Sequence, residues 1–166
     1  MKKRIKLFII NFFSYLRKRI LGKYAISITY KSRNGIFSIP VEDFAIGRKL
    51  GFEGEWNSDE IQKLYQILRP EDTVYILGTH VGTLLIPLSK KSKTVIGFEA
   101  NPIIYHYLKD NIYLNNIENA VVFNQAVGDK YGKLEFLQNS VNSGGSKILP
   151  KKNDYSFFYD NPYSRS

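Results

Sequence analysis

The sequence predicts an α/β fold built on a parallel sheet, and three observations carry that prediction. Thr73 to Leu77 is a short β-branched and apolar run of the kind a parallel strand needs. It runs straight into Gly78-Thr79-His80-Val81-Gly82, a turn with a glycine at each end. A helical stretch, a second apolar run at Thr94 to Phe98 and an acid, Glu99, then follow in order. Strand, glycine turn, helix, strand and acid make one βαβ unit, with a ligand crevice at the carboxyl ends of its strands.

The elements can be taken from the N-terminus. Met1 to Leu21 is amphipathic at helical spacing. Ile5, Phe8, Ile9, Phe12, Phe13, Leu16 and Ile20 share one face, and Arg4, Lys6, Asn11, Ser14, Arg17 and Lys18 share the other. Its longest apolar run, Leu7 to Ile10, is too short to span a bilayer, and the interruptions at Asn11 and Ser14 do not suit a signal peptide. Two readings of the helix stay open. It lies on an anionic membrane surface with residues 1–21 in peripheral contact, or it packs its apolar face on the sheet. Nucleic acid is the weaker third reading, because no RNA- or DNA-binding motif follows.

Tyr24 to Tyr30 and Ile36 to Pro40 read as a hairpin turned at Asn34-Gly35. Phe52 to Trp56 reads as a loop. Asn57 or Ser58 can cap the next helix, whose buried stripe is Ile61, Leu64, Tyr65, Ile67 and Leu68. The βαβ helix is expected from Thr83 to about Lys91, with Pro87 in its opening turns, where a missing amide costs least. Asn101-Pro102 starts the following helix, which runs to about Asn115 with Ile104, Leu108 and Ile112 inward. Asn115-Asn116 suits a left-handed stop. Ala120 to Asn124 is a third strand, and the alternating Lys133 to Leu137 a fourth. From Asn139 the composition is that of loop or disorder. The resulting division is 1–23 basic helix, 24–50 hairpin and connection, 51–148 α/β domain and 149–166 flexible tail.

Composition narrows the chemistry. The 166 residues suit about one domain. With no cysteine and only His80 and His106, a thiolate or histidine-rich metal site is not expected. A lack of cysteine also fits a reducing compartment, so a cytoplasmic location, peripheral to the membrane through the first helix, is expected. The net charge of +9 is concentrated. Residues 1–33 hold ten Lys or Arg and no acid, while the remainder holds fourteen basic and fifteen acidic residues.

At the crevice, Glu99 can accept hydrogen bonds from both ribose hydroxyls of a nucleoside. Dinucleotide enzymes want G-x-G-x-x-G, to rest a pyrophosphate on the helix N-terminus. This chain has only G-x-x-x-G. S-adenosylmethionine carries no phosphate and tolerates the looser turn, so the residues lean towards a methyl donor. An NAD-dependent oxidoreductase ranks third among the functional readings.

Several motifs in order resemble the FkbM family of S-adenosylmethionine-dependent methyltransferases: FEGEW, GTHVG with Pro87 beyond it, GFEANP, LKDNIYLNN, NQAVGDKYGKLEF and NSGG. The resemblance covers about residues 52–148. It implies a Rossmann-like class I methyltransferase fold, an S-adenosyl-L-methionine cofactor and O-methylation of a sugar, glycan or other small metabolite. Gly78, Thr79, His80 and Gly82 would line the methionine part. Glu99 would hold the ribose, with Ala100 beside it among the cofactor-binding residues. Gln125, Ala126 and Val127 would border the adenine, and Glu55 would reach in from the preceding loop. No residue is singled out as catalytic.

Departures from that pattern are Ile76 in place of an acid and His80 in place of Asn. The chain also stops at Ser166 before the family's later strands, so the fold is expected to be incomplete. An open edge on the first parallel strand is then expected, and with it a partner chain covering that edge. The competing expectation is a non-catalytic remnant, or a subunit that binds a partner or a membrane. Expected partners are a small-molecule or glycan acceptor, with nucleic acid unlikely.

Overall fold

The computed structural model describes residues 2–129, 132, 136–138, 147–148 and 164–165. The expected tail, 149–166, falls almost wholly outside them, as do residues 133–135 of the expected fourth strand. In chain order the elements are α1 (Lys2–Leu21), β1 (Ser27–Ser32), β2 (Gly35–Pro40), α2 (Phe44–Arg48) and a π-type turn (Lys49–Glu53). There follow α3 (Ser58–Ile67), β3 (Thr73–Leu77), α4 (Leu85–Ser89), β4 (Thr94–Phe98), α5 (Pro102–Leu114) and β5 (Ala120–Phe123). The short strands β6 (Phe136–Gln138), β7 (Lys147–Ile148) and β8 (Ser164–Arg165) come last.

The expected α/β architecture is present. β3, β4 and β5 form a parallel sheet in that order, with Leu77 opposite Phe98 and Phe98 opposite Phe123. All three strands therefore end at the same level, where Gly78, Glu99 and Asn124 begin the crevice loops. β1 and β2 form a separate antiparallel hairpin. The fourth strand does not extend the parallel sheet: β6 pairs antiparallel with β7 and β8.

The core lies between the hairpin, α5 and one face of the parallel sheet. Phe37 and Ile39 of β2, Leu85 and Ile86 of α4, Val95 of β4, and Ile104 and Leu108 of α5 are all at most 1 % exposed. Each such side chain contributes about 1.5–3 kcal/mol by leaving water. Ile76, the neutral residue at the acid's expected position, is part of this core. The opposite face of the sheet is open. Tyr75, Leu77, Val121 and Phe123 point into solvent. β3 is thus only half-buried and sits at a sheet edge, pairing among the described residues with β4 alone.

Four local expectations change. The hairpin loop is Arg33-Asn34 rather than Asn34-Gly35, since Ser32 pairs with Gly35. Gly35 is instead needed for close approach: a Cβ there would lie 2.6 Å from Asn115 Oδ1. Asn57 occupies the N-cap position of α3 in the left-handed region, but its amide donates to Glu60 Oε2 and does not cap the backbone. Ile67 drops out of the α3 stripe and is exposed. The βαβ helix is shorter than expected, because residues 83 and 84 are still in turn conformation.

α1 forms over its expected length but docks the other way round. Ser14 is buried and donates to the Glu42 carbonyl at 2.6 Å. Lys18 pairs with the Glu42 carboxylate, and Arg17 Nη1 donates to the Tyr30 hydroxyl at 3.1 Å. Phe13 stacks on Phe44, with ring centroids 5.5 Å apart. Phe8, Ile9, Phe12, Leu16 and Ile20 are left exposed. The polar face meets the domain because the ground it lands on is polar backbone and a carboxylate. No described helix is long and apolar enough to cross a membrane.

Candidate functional site: a glycine loop closed by a buried acid

The site is built at the carboxyl ends of β3 and β4. β3 runs into Gly78 (φ +77°), His80 (φ +53°) and Gly82 (φ +91°), three left-handed residues within five. That sequence of conformations turns the chain sharply away from the sheet. The turn is pinned from below: Gly78 N–H and Thr79 N–H both donate to the Phe98 carbonyl, at 2.8 and 3.0 Å. A Cβ on Gly78 would meet nothing within 4 Å, so this residue faces open space. At Gly82 the constraint is different, since a Cβ there would lie 3.0 Å from Leu108 Cδ1. One glycine thus leaves room for a ligand, and the other lets α5 pack.

Glu99 closes the loop. Its side chain is buried, and each carboxylate oxygen accepts one backbone N–H: Oε2 from His80 at 2.8 Å and Oε1 from Asn101 at 2.8 Å. The acid therefore latches the glycine loop to the start of α5. An ionised carboxylate offers about four lone-pair sites, so both oxygens keep acceptor capacity. No described cation pairs with it. Backbone N–H groups and the N-terminal end of the 13-residue α5 stabilise its charge instead. Asn101 caps that helix through Oδ1, and Pro102 occupies its first turn, as expected. Asn124 at the end of β5 adds a third tie, donating to the Glu99 carbonyl at 2.8 Å.

Two buried polar atoms at this site have no protein partner: Thr79 Oγ1 and Asn101 Nδ2. Both residues are 2 % exposed. Buried polar atoms are rarely left unmatched, so a spare acceptor or donor and a spare amide donor flanking Glu99 fit a polar ligand. His80 is desolvated, which holds its imidazole below the ordinary value. The charges of Asp43 and Glu99 oppose that shift.

The expected site residues separate into three groups. Gly78, Thr79, His80, Gly82, Glu99 and the half-buried Ala100 come together in the loop and its latch. Gln125, Ala126 and Val127 leave β5 at the same sheet end and are exposed. Glu55 lies apart: its carboxylate accepts from Arg33 Nη1 at 2.9 Å. It lines two clefts, of about 470 and 340 Å³, along α3, and neither is lined by a residue of the glycine loop. Among the described residues no cluster of three or more His, Asp or Glu could hold a metal ion.

Three residues were not anticipated. Asp43, fully buried, caps α2 at Ile46 N–H and lies near enough to act on His80. Asn124, in sequence only the end of the third strand, ties β5 to the carbonyl of Glu99. Asn111 is fully buried and donates to the Val81 carbonyl inside the glycine loop at 2.9 Å. A signal for it existed: a polar residue interrupts the stripe Ile104, Leu108, Asn111.

Among known proteins, the tRNA (guanine(37)-N(1))-methyltransferase of Phytophthora infestans is 36% identical over 69 residues, covering 40% of this chain and 17% of that protein. A probable ribosomal RNA small subunit methyltransferase A of Methanosphaera stadtmanae is 36% identical over 105 residues, covering 61% and 32%. The chain thus spans between about a sixth and a third of the length of these relatives. The solved M. jannaschii TYW2 in complex with AdoMet aligns with TM-score 0.47 and 25% identity, over 58% of this chain and 42% of that one.

These findings correct two expectations. Nucleic acid was expected to be unlikely, yet the named relatives are methyltransferases of tRNA and ribosomal RNA. The expectation rested on finding no separate RNA-binding motif, and it discounted a concentrated basic segment. The FkbM resemblance is overturned as well, and with it the expected sugar or glycan acceptor. GFEANP is the most specific match in that resemblance, but in the fold Glu99 latches a loop, Asn101 caps a helix and Pro102 begins it. These roles are structural and do not depend on the acceptor. The S-adenosylmethionine expectation stands. The family model that matches is the TRM5/TYW2 methyltransferase domain, and it spans residues 49–136. That is more than half of the chain, which therefore belongs to the TRM5/TYW2 methyltransferase domain family.

Proposed function

We propose that this chain is an S-adenosylmethionine-dependent methyltransferase domain whose acceptor is RNA, with a tRNA nucleobase of the kind its relatives modify as the first candidate. The match of residues 49–136 to a methyltransferase domain carries the reading. The local chemistry supports it. Glu99 keeps free lone pairs for ribose hydroxyls while its N–H contacts fix its orientation. Gly78 leaves backbone accessible where a side chain would intrude. Thr79 Oγ1 and Asn101 Nδ2 offer the unmatched polar atoms that a nucleoside or amino acid moiety would satisfy. When bound, the cofactor supplies an electrophilic methyl group on sulfonium sulfur. The protein's share is to hold donor and acceptor in line, and alignment alone can lower a barrier by about 7–11 kcal/mol.

Titration calorimetry with S-adenosylhomocysteine tests the cofactor half of this reading. Absence of heat at millimolar ligand would remove it. Transfer of radiolabelled methyl from S-adenosylmethionine to an unmodified tRNA transcript tests the acceptor half. Label appearing on an oligosaccharide and not on RNA would sink that half.

A further inference from the structure

An RNA acceptor must be held by its phosphates, and the charge needed is in one place. Residues 34–166 carry fourteen basic and fifteen acidic side chains, so the excess positive charge lies outside them. Residues 1–33 carry ten basic side chains and no acid. Of these, Arg17 and Lys18 are taken up in docking α1, and Arg33 pairs with Glu55. Ser14, Arg17 and Lys18 seat the helix on α2 and the hairpin. They seat it on Glu42, next to Asp43, whose charge acts on His80 of the glycine loop. The basic segment is therefore anchored at Glu42, one residue before Asp43 at the N-cap of α2.

The outward side carries aromatics among cations. Phe8, Phe12, Tyr15 and Tyr24 are 71, 51, 63 and 83 % exposed. Arg19 lies over the Tyr15 ring at 6.0 Å and Lys23 over Tyr24 at 4.8 Å. Arg19, Lys23 and Lys31 make no ion pair with a described residue. Exposed rings interleaved with unpaired cations form a stacking and phosphate-binding surface for unpaired nucleotides.

We infer that the outward side of α1, with residues 23–31, is the docking surface for a single-stranded segment of the RNA acceptor. This rests on the RNA reading above. The proposal is tested on the full chain with a fluorescein-labelled 20-nucleotide RNA and a tRNA transcript. Two surface variants are compared, Arg19→Gln/Lys23→Gln/Lys31→Gln and Phe12→Ser/Tyr15→Ser.

The charge variant is expected to bind at least about tenfold more weakly, and its slope of log affinity against log salt to flatten by about 2, as for three lost phosphate contacts. The aromatic variant should weaken binding by about tenfold or more with the salt slope unchanged. S-adenosylhomocysteine affinity should stay the same in both. Unchanged RNA affinity in both variants overturns the docking surface and leaves the acceptor class standing. A wild-type chain that binds S-adenosylhomocysteine but no RNA overturns the acceptor reading itself. Capture of α1 by phosphatidylserine vesicles without any loss of RNA binding would assign the surface to lipid and also overturn the proposal.

Discussion

The side chain of Asn111 holds Ser38 by both ends of its backbone unit: Oδ1 accepts the Ser38 N–H at 2.7 Å and Nδ2 donates to the Ser38 carbonyl at 3.0 Å. The same Nδ2 reaches the Val81 carbonyl in the glycine loop. One amide thus ties the hairpin to the loop that closes on Glu99. Asn111→Leu would strand three buried backbone groups, at a cost of about 1–3 kcal/mol for each that finds no water. Thermal unfolding should fall by roughly 6–12 °C for a loss of about 3 kcal/mol in a chain of this size. Affinity for S-adenosylhomocysteine should fall further than for a core truncation of similar cost, such as Ile39→Ala at about 2–5 kcal/mol. Equal affinities in the two proteins would show that the Val81 contact does not shape the loop.

Glu99→Gln keeps the size of the side chain and removes its symmetry. One end becomes a donor, which cannot accept from both His80 and Asn101. The variant should remain folded, with a loss of about 1–3 kcal/mol from the misdirected amide. Its heat of binding with S-adenosylhomocysteine should fall at least about tenfold in affinity, as for the loss of a charge-assisted pair. Wild-type affinity in the variant would assign Glu99 to the latch alone.

His80 makes the domain sensitive to acid. Desolvation lowers its folded-state value below the ordinary 6.5, against the opposing charges of Asp43 and Glu99. As pH falls through the ordinary value the unfolded chain takes up the proton first, so stability drops on acidification until the folded imidazole is protonated too. His80→Asn removes this proton uptake and suits the left-handed backbone, φ +53°. Urea midpoints at pH 7.5 and 5.5 should differ less in the variant than in wild type. Equal differences would mean that His80 is solvated.

Gly35→Ala should cost about 1–3 kcal/mol, the usual range for overpacking, because the new methyl would meet Asn115 Oδ1 at 2.6 Å and Ile86 Cγ2 at 2.9 Å. Gly128→Ala, with nothing within 4 Å, is the matched control and should be neutral within about 0.5 kcal/mol. A neutral Gly35→Ala would show that Asn115 can swing away.

Much of the fold was legible because it is written in short-range patterns. The βαβ unit, the Asn101-Pro102 helix start and the left-handed Asn116 stop follow from apolar runs, caps and turn chemistry. What was not legible depends on partners far along the chain. The hairpin loop shifts by one residue because Asn115, seventy-nine positions after Ile36, needs Gly35 beneath it. α1 shows a clear apolar stripe, but periodicity says nothing of what ground a helix lands on. Glu42 and Tyr30 decided that. At the site, Gly78 and Glu99 were readable from spacing. Asn111 was hidden by looking like an imperfection in a stripe. The acceptor was not legible, because Glu99, Asn101 and Pro102 of the GFEANP stretch have structural roles that do not depend on it.

The hairpin is made early in the chain, yet Ile36 and Ser38 of β2 have their side-chain partners in Asn115 and Asn111, at the end of α5. Two strands alone are marginal in water. The hairpin cannot then mature as an independent unit. Its amides should gain protection from solvent exchange in the same kinetic step as those of α5, and a nascent chain that has not yet delivered Asn111 and Asn115 should leave β2 unprotected.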